Sequence, residues 1–113
     1  MTNELKIGLA TPVGLWSMSI DAKHRMLEDA WAAGVNHIFM AELISFRDGS
    51  GADGFVEIAA LSQLHAEMCV MISIYLLPLR HPLQVARQLA TMHKIAPGRM
   101  LFGVGIGGED RHE

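Results

Sequence analysis

Apolar runs and amphipathic stretches alternate along this chain. Residues 5–10 form a short apolar run closed by Thr11-Pro12 and Gly14, which predicts a buried strand passing into a loop. The period then changes. Ser19 can cap a helix with Asp21 near its positive end, and Ala22, Met26, Ala30 and Ala33 recur at spacings of three and four until Gly34 supplies a left-handed stop. A second apolar strand at 36–41 is followed by Glu42 and by a stretch rich in turn formers at 45–54. Asp53 is a candidate cap for a second helix over 55–65, with Val56, Ala60 and Leu64 as its apolar line. A third strand is expected at 68–77. His81-Pro82 then opens a third helix, whose inner face is predicted to be Leu83, Ala86, Leu89, Ala90 and Ile95 and whose end is Pro97-Gly98. Residues 100–104 form a fourth strand that dissolves into Gly105-Ile106-Gly107-Gly108.

The order is βαβαβαβ, and strand starts recur roughly every 31 to 33 residues, the size of a crossover unit. Continuous apolar strands joined by amphipathic helices predict a parallel sheet with right-handed crossovers. An open doubly wound sheet, as in a small flavodoxin-like domain, and a β/α barrel both satisfy that pattern.

Composition narrows the function classes. The chain has 113 residues, 50% of them hydrophobic, with 9 basic against 12 acidic side chains and a net charge of -3. One domain is expected, without the basic footprint that a phosphate backbone requires, so nucleic acid is not an expected partner. The longest apolar stretch, near 68–79, is too short for a bilayer, and the first residues lack the pattern of a secretory leader. A single cysteine, Cys69, suits a reducing compartment, so a cytoplasmic protein with no membrane partner is the expectation.

Most candidate motifs have an ordinary explanation. Gly103 to Gly108 formally matches G-x-G-x-x-G, but neither the helix that should open at once nor the later acidic residue of a dinucleotide fold accompanies it. A glycine-rich strand end, where backbone must approach a ligand or a neighbouring strand closely, explains the pattern better. His24, His37, His65, His81, His93 and His112 lack ligand spacing, so no metal site is expected. Of these, His24, His65 and His93 fall on predicted helices as partly exposed side chains. No G-x-S-x-G elbow is present. Met26, Met40, Met68, Met71, Met92 and Met100 read as core. Glu42 stands out, since it directly follows an apolar strand at the end where α/β proteins place their ligands; a solvated loop acid is the alternative.

Two longer stretches carry a resemblance. Residues 74–91, which include Leu77-Pro78-Leu79-Arg80-His81-Pro82, and residues 97–110, which include Gly98-Arg99-Met100-Leu101-Phe102-Gly103-Val104-Gly105, resemble the third strand and helix and the fourth strand of the bacterial-luciferase-like family of flavin- or F420-dependent oxidoreductases. Phe46-Arg47-Asp48-Gly49-Ser50-Gly51 matches as well. The resemblance implies a parallel β/α (TIM-type) barrel of which residues 1–113 supply the amino-terminal half, namely the first four strands and three helices. It implies FMN or coenzyme F420 as cofactor, a small-molecule substrate, and a non-prolyl cis peptide joining Ser73 to Ile74 as a rest for the ring. Glu42, Ser73, Ile74, Gly105 and Gly107 become the implied cofactor-binding residues. The family often has histidine directly after its acidic residue; here that position is Leu43, and no catalytic histidine is carried over.

A complete barrel of this kind needs about 250 residues. The short chain is therefore expected to bind cofactor weakly and turn over little. The alternative is a non-catalytic half-barrel that associates, as a homodimer, through the edges of its first and fourth strands.

Overall fold

The computed structural model describes residues 4–44 and 49–108. Part of the turn-rich stretch, with Phe46, Arg47 and Asp48, therefore lies outside the described residues, as do Glu109 and Asp110. Four strands, β1 (Gly8–Ala10), β2 (His37–Met40), β3 (Cys69–Leu76) and β4 (Met100–Gly105), alternate with three helices, α1 (Ile20–Ala32), α2 (Gly54–Leu61) and α3 (Pro82–Ile95). Single 3-10 turns at Leu15–Ser17 and Leu77–Leu79 follow β1 and β3. All pairings are parallel and the spatial order is β1-β2-β3-β4.

That order separates the two architectures left open by the pattern. A doubly wound sheet reverses its strand order once and carries helices on both faces, whereas sequential order with right-handed crossovers stacks every helix on one face. The latter is observed, since Leu27 of α1, Phe55, Ile58 and Leu61 of α2, and Val85 and Met92 of α3 share one core with Ile38, Met40, Val70, Ile72 and Tyr75 of the sheet. The protein is a parallel half-barrel of the TIM type.

The caps follow the local chemistry. Ser19 Oγ accepts from the Ala22 amide (3.2 Å) and Asp53 Oδ1 from the Val56 amide (3.0 Å), as the sequence predicts. His81 caps α3 through Nδ1, which accepts from the Leu83 amide (3.2 Å), and Pro82 occupies the first helical turn. Gly34 ends the α1 turn at φ +96°.

Two helix faces differ from expectation. In α2 the buried side chains are Phe55, Ile58 and Leu61, while Val56 is 72% exposed and Ala60 is also exposed. In α3 the inward line is Val85, Leu89 and Met92, continued by Ala96, whereas Leu83, Ala86, Ala90 and Ile95 are exposed. Both helices carry two interleaved apolar stripes, and the sheet takes the stripe with more buried volume per turn. The second helix also stops at Leu61, so His65 lies in the following turn. There it is 8% exposed, and its Nδ1 accepts from the Glu67 and Met68 amides (3.1 and 3.0 Å) while its ring packs at a tilt against Trp31. Of the six core methionines predicted, Met40, Met68 and Met92 are buried and the other three half-buried.

At the amino-terminal end of the sheet Arg99 gathers the turn between α2 and β3. Its guanidinium donates to the carbonyls of Ser62 (3.1 Å), His65 (3.1 Å) and Met68 (2.9 Å). Charged donors to backbone carbonyls are among the stronger hydrogen bonds, so Arg99→Met should lower the unfolding free energy by about 2–4 kcal/mol in urea denaturation. A change below about 0.5 kcal/mol would show that water replaces the guanidinium freely.

Candidate functional site

The site is built where β3 loses its partner. Strand β2 pairs with β3 only as far as Met40 and Ile72. Beyond that point the Ser73–Ile74 peptide bond is cis, at the position that the resemblance implies, and the pairing of β3 with β4 shifts register between Ile72 and Tyr75. Tyr75 and Leu76 then pair with Val104 and Gly105.

The bulge turns Ile74 onto the sheet face opposite the helices. Gly103 and Gly105 lie beneath it: a Cβ on Gly105 would clash with Ile74 Cδ1, and one on Gly103 would come within 2.7 Å of the Ile72 carbonyl oxygen. The two glycines form a slot that only a residue without a side chain can provide. Ile74 remains 40% exposed, an apolar ledge at the carboxyl end of the strands. Gly107 follows at φ +83°, with its Cβ direction 3.4 Å from Leu76 Cδ2. The structure thus sets Ile74 over Gly103 and Gly105, with Ser73 across the cis bond and Gly107 beside Leu76.

Glu42 lies at the carboxyl end of β2 as the sequence suggests, and it is a buried acid, not a solvated one. The residue is 4% exposed and its carboxylate receives four donors. Oε1 accepts from the Leu76 amide (2.9 Å) and Arg80 Nη1 (2.6 Å), and Oε2 accepts from the Gly54 amide and Arg80 Nη2 (2.9 Å each). A carboxylate offers about four lone-pair sites, and these four donors match that number. Gly54 must be glycine for this, since a Cβ there would lie 2.9 Å from Glu42 Oε2.

Arg80 is the residue that the sequence reading passed over. It lies inside the motif that carries the resemblance. A signal is present, because a buried acid directly after one strand requires a cation, and Arg80 follows the next strand after the single 3-10 turn Leu77–Leu79. Its guanidinium also donates to the Leu76 carbonyl (3.2 Å), sits 4.4 Å from the Tyr75 ring centroid and pairs with Asp53 Oδ2 at 3.7 Å. Tyr75 packs edge-on against Phe55 and beside Phe102, and its hydroxyl donates to Gln88 Oε1 (3.3 Å).

Next to this cluster a cleft of about 880 Å³ opens between the turn after β1, the end of β2 and α2, with Val13, Trp16, Phe39 and Val56 on its walls. Trp16 Nε1 donates to Glu57 Oε1 (2.8 Å), which ties that turn to α2. Among the described residues no group of three or more His, Cys, Asp or Glu is arranged to hold a metal ion, and no helix is long and apolar enough to cross a membrane.

Comparisons with known proteins agree with this geometry. The family model for luciferase-like monooxygenases matches residues 5–113, and the chain belongs to that family. No curated protein sequence matches the chain. Similar solved structures include the oxygenating constituent of 3,6-diketocamphane monooxygenase from Pseudomonas putida in complex with FMN, with a TM-score of 0.70, 19% identity, and coverage of 94% of this chain and 30% of that one. Monooxygenase RslO1 from Streptomyces bottropensis gives a TM-score of 0.69 and 26% identity over 89% and 33% of the two chains. The coenzyme F420-dependent tetrahydromethanopterin reductase of Methanopyrus kandleri gives 0.67 and 17% over 93% and 28%. The chain therefore spans 28–33% of the length of these structures.

Burial pushes the Tyr75 phenol above its ordinary value of 10.0; the Arg80 cation opposes that push, and Glu42 and Asp53 add to it. In the window above pH 10 the unfolded chain loses the phenolic proton while the folded one keeps it, so stability is complete below that window and falls as pH rises through it. Tyr75 is the one tyrosine of the chain, so phenolate absorbance reads it alone. The folded protein should titrate at higher pH than the urea-unfolded chain; coincident midpoints would contradict this burial.

Proposed function

We propose that this chain forms the amino-terminal half of a barrel that takes FMN or coenzyme F420 and serves oxidoreductase chemistry of the monooxygenase type on a small-molecule substrate. The observation that carries the reading is the Ile74 ledge, laid over Gly103 and Gly105 beside a cis peptide, on the face away from the helices. Parallel barrels bind their ligands at this end of the strands. Family membership supports the same reading.

The residues present fit the flat part of such a cofactor. Ile74 offers an apolar surface for one face of a ring, Ser73 a polar group beside it, and Gly105 and Gly107 allow backbone to come close. Bound there, the cofactor would supply the redox chemistry that no side chain of the site possesses. The chain's own groups orient and exclude water. Glu42 accepts only protein donors, and Leu43 has no proton to exchange. For an anionic tail the chain offers the amides near Gly107 and Gly108, because Arg80 is already committed to Glu42 and Asp53. One-sided support of the ring and a weak anion site imply weak binding and little turnover by these 113 residues. A cytoplasmic setting, with one unpaired thiol at Cys69, goes with this reading.

Fluorescence titration of the 113-residue chain with FMN and with F420 tests this. Saturable but weak binding of one of them is expected. Stoichiometric binding would overturn the weak-affinity expectation, and no spectral change up to the solubility limit would overturn the cofactor reading itself.

A second reading is favoured by the sheet's edges. β1 and β4 are both edge strands, and Leu101 on the face away from the helices is 42% exposed. Pairing of β4 in one copy with β1 in another would close an eight-stranded ring and give a homodimeric, non-catalytic assembly module. Sedimentation equilibrium should then find a dimer at micromolar concentration; a monomer throughout would exclude it.

A further inference from the structure

The backbone of β3 beyond Ile72 has no β2 strand beside it. In the register that pairs Met40 with Ile72, Glu42 falls opposite Ile74, past the last ladder bond. At this point side chains replace the strand. The Leu76 amide donates to Glu42 Oε1 at 2.9 Å and the Leu76 carbonyl accepts from Arg80 Nη1 at 3.2 Å. Both backbone polar groups of Leu76 are thereby held by one ion pair. The residue before it, Tyr75, is covered by the guanidinium.

The other flank of the bulge is fixed by ordinary pairing, since Val70, Met71 and Ile72 are matched on β2 and on β4. Ile74 is therefore suspended between two anchored points. Leu76 pairs with Gly105 on its β4 side and is held by the ion pair on the side that β2 leaves open, so the pair supplies the second half of the anchor that keeps the Ile74 side chain over Gly105. Resting on the cofactor reading above, we propose that Glu42 and Arg80 are a positioning pair: they set the height and direction of the Ile74 ledge and act on the cofactor through it, without touching reacting atoms. In this role the acid after β2 and Arg80 act through the backbone of Leu76, not through proton transfer.

Arginine is needed for geometry as well as charge. Nη1 and Nη2 meet Oε1 and Oε2 as a fork, at 2.6 and 2.9 Å, while Nη1 also reaches the Leu76 carbonyl. A lysine keeps the charge but can hold only part of that set. Arg80→Lys is thus the informative change, because removing the cation outright would leave Glu42 buried without a counter-ion and endanger folding. A second variant, Glu42→Leu with Arg80→Met, removes both charges together and guards against loss of the fold.

The experiment compares the parent, both variants and Leu27→Ala, a core change in α1 remote from the site that lowers stability without touching the bulge. Amide hydrogen exchange at residues 74–76 and the NMR signals of the Ile74 methyl groups are read without cofactor, and FMN and F420 affinity and the visible circular dichroism of the bound ring with it. Arg80→Lys and the double variant should raise exchange at 74–76 by about tenfold or more beyond the global change, the size expected for losing one charged hydrogen bond. They should also shift the Ile74 methyl signals and weaken cofactor binding by a similar factor, whereas Leu27→Ala should alter only global exchange. If both site variants leave the Ile74 signals and the cofactor affinity at parental values, or change them only as Leu27→Ala does, the positioning role is overturned. If the parent binds neither cofactor, the cofactor reading fails, while the exchange and methyl signals still decide whether the pair positions Ile74.

Discussion

The fold turns on the buried pair between Glu42 and Arg80. Taking two charges out of water costs several kcal/mol each, and the attraction between them offsets this only when their remaining hydrogen-bonding capacity is also filled. Here it is filled by the chain itself. Glu42 collects the amide that opens α2 and the amide that closes β3, and Arg80 adds the carbonyl of Leu76 and the edge of Asp53. One carboxylate and one guanidinium thus join the end of β2, the start of α2, the end of β3 and the approach to α3. Tyr75 carries that constraint into the core, because Arg80 covers its ring on one side while Phe55 and Phe102 pack against it.

A second arginine does comparable work at the opposite end, and the contrast explains how the structure is divided. Among the described residues Arg99 faces three carbonyls and no carboxylate, so it closes the turn between α2 and β3 as a donor to backbone. Nothing it touches belongs to the bulge. Arg80, at the carboxyl end of the strands, is bound to the residues that shape the ledge. In barrels of this type stability concentrates at the amino-terminal end and ligand chemistry at the other, and the partners of the two arginines follow that division.

The sequence made strand order, helix order, caps and the place of the cis bond legible, because each rests on local chemistry or on a contiguous motif. Ser19, Asp53, Gly34 and Pro82 act within a few residues of themselves, and the bulge lies within one stretch of chain. What stayed hidden depends on partners far apart. Glu42 and Arg80 are separated by 38 positions, and the Gly54 amide enters the same cluster from a third segment. The inward faces of α2 and α3 were misread because alanines gave Ala60, Ala86 and Ala90 a regular apolar rhythm. Burial favours volume, and Ile58, Val85 and Met92 carry more of it. His65 was misplaced for a related reason: the helix ends at Leu61, and its imidazole then substitutes for backbone in the turn that follows.

The saturation of the polar groups bears on how any chemistry could occur here. Glu42 accepts from four donors, Arg80 is shared among Glu42, Leu76 and Asp53, and Asp53 also caps α2. Even on the wall of the neighbouring cleft, Glu57 is taken by the Trp16 indole and the Thr11 hydroxyl by the Phe39 carbonyl (2.9 Å). Among the described residues, charged side chains engaged in this way hold shape and are poorly suited to proton transfer. Such a site suits a bound molecule that brings its own reactivity and needs from the protein a fixed apolar surface, close backbone and protection from water. Ile74 over the glycine slot meets the first two of these needs, and the Glu42–Arg80 pair keeps it there.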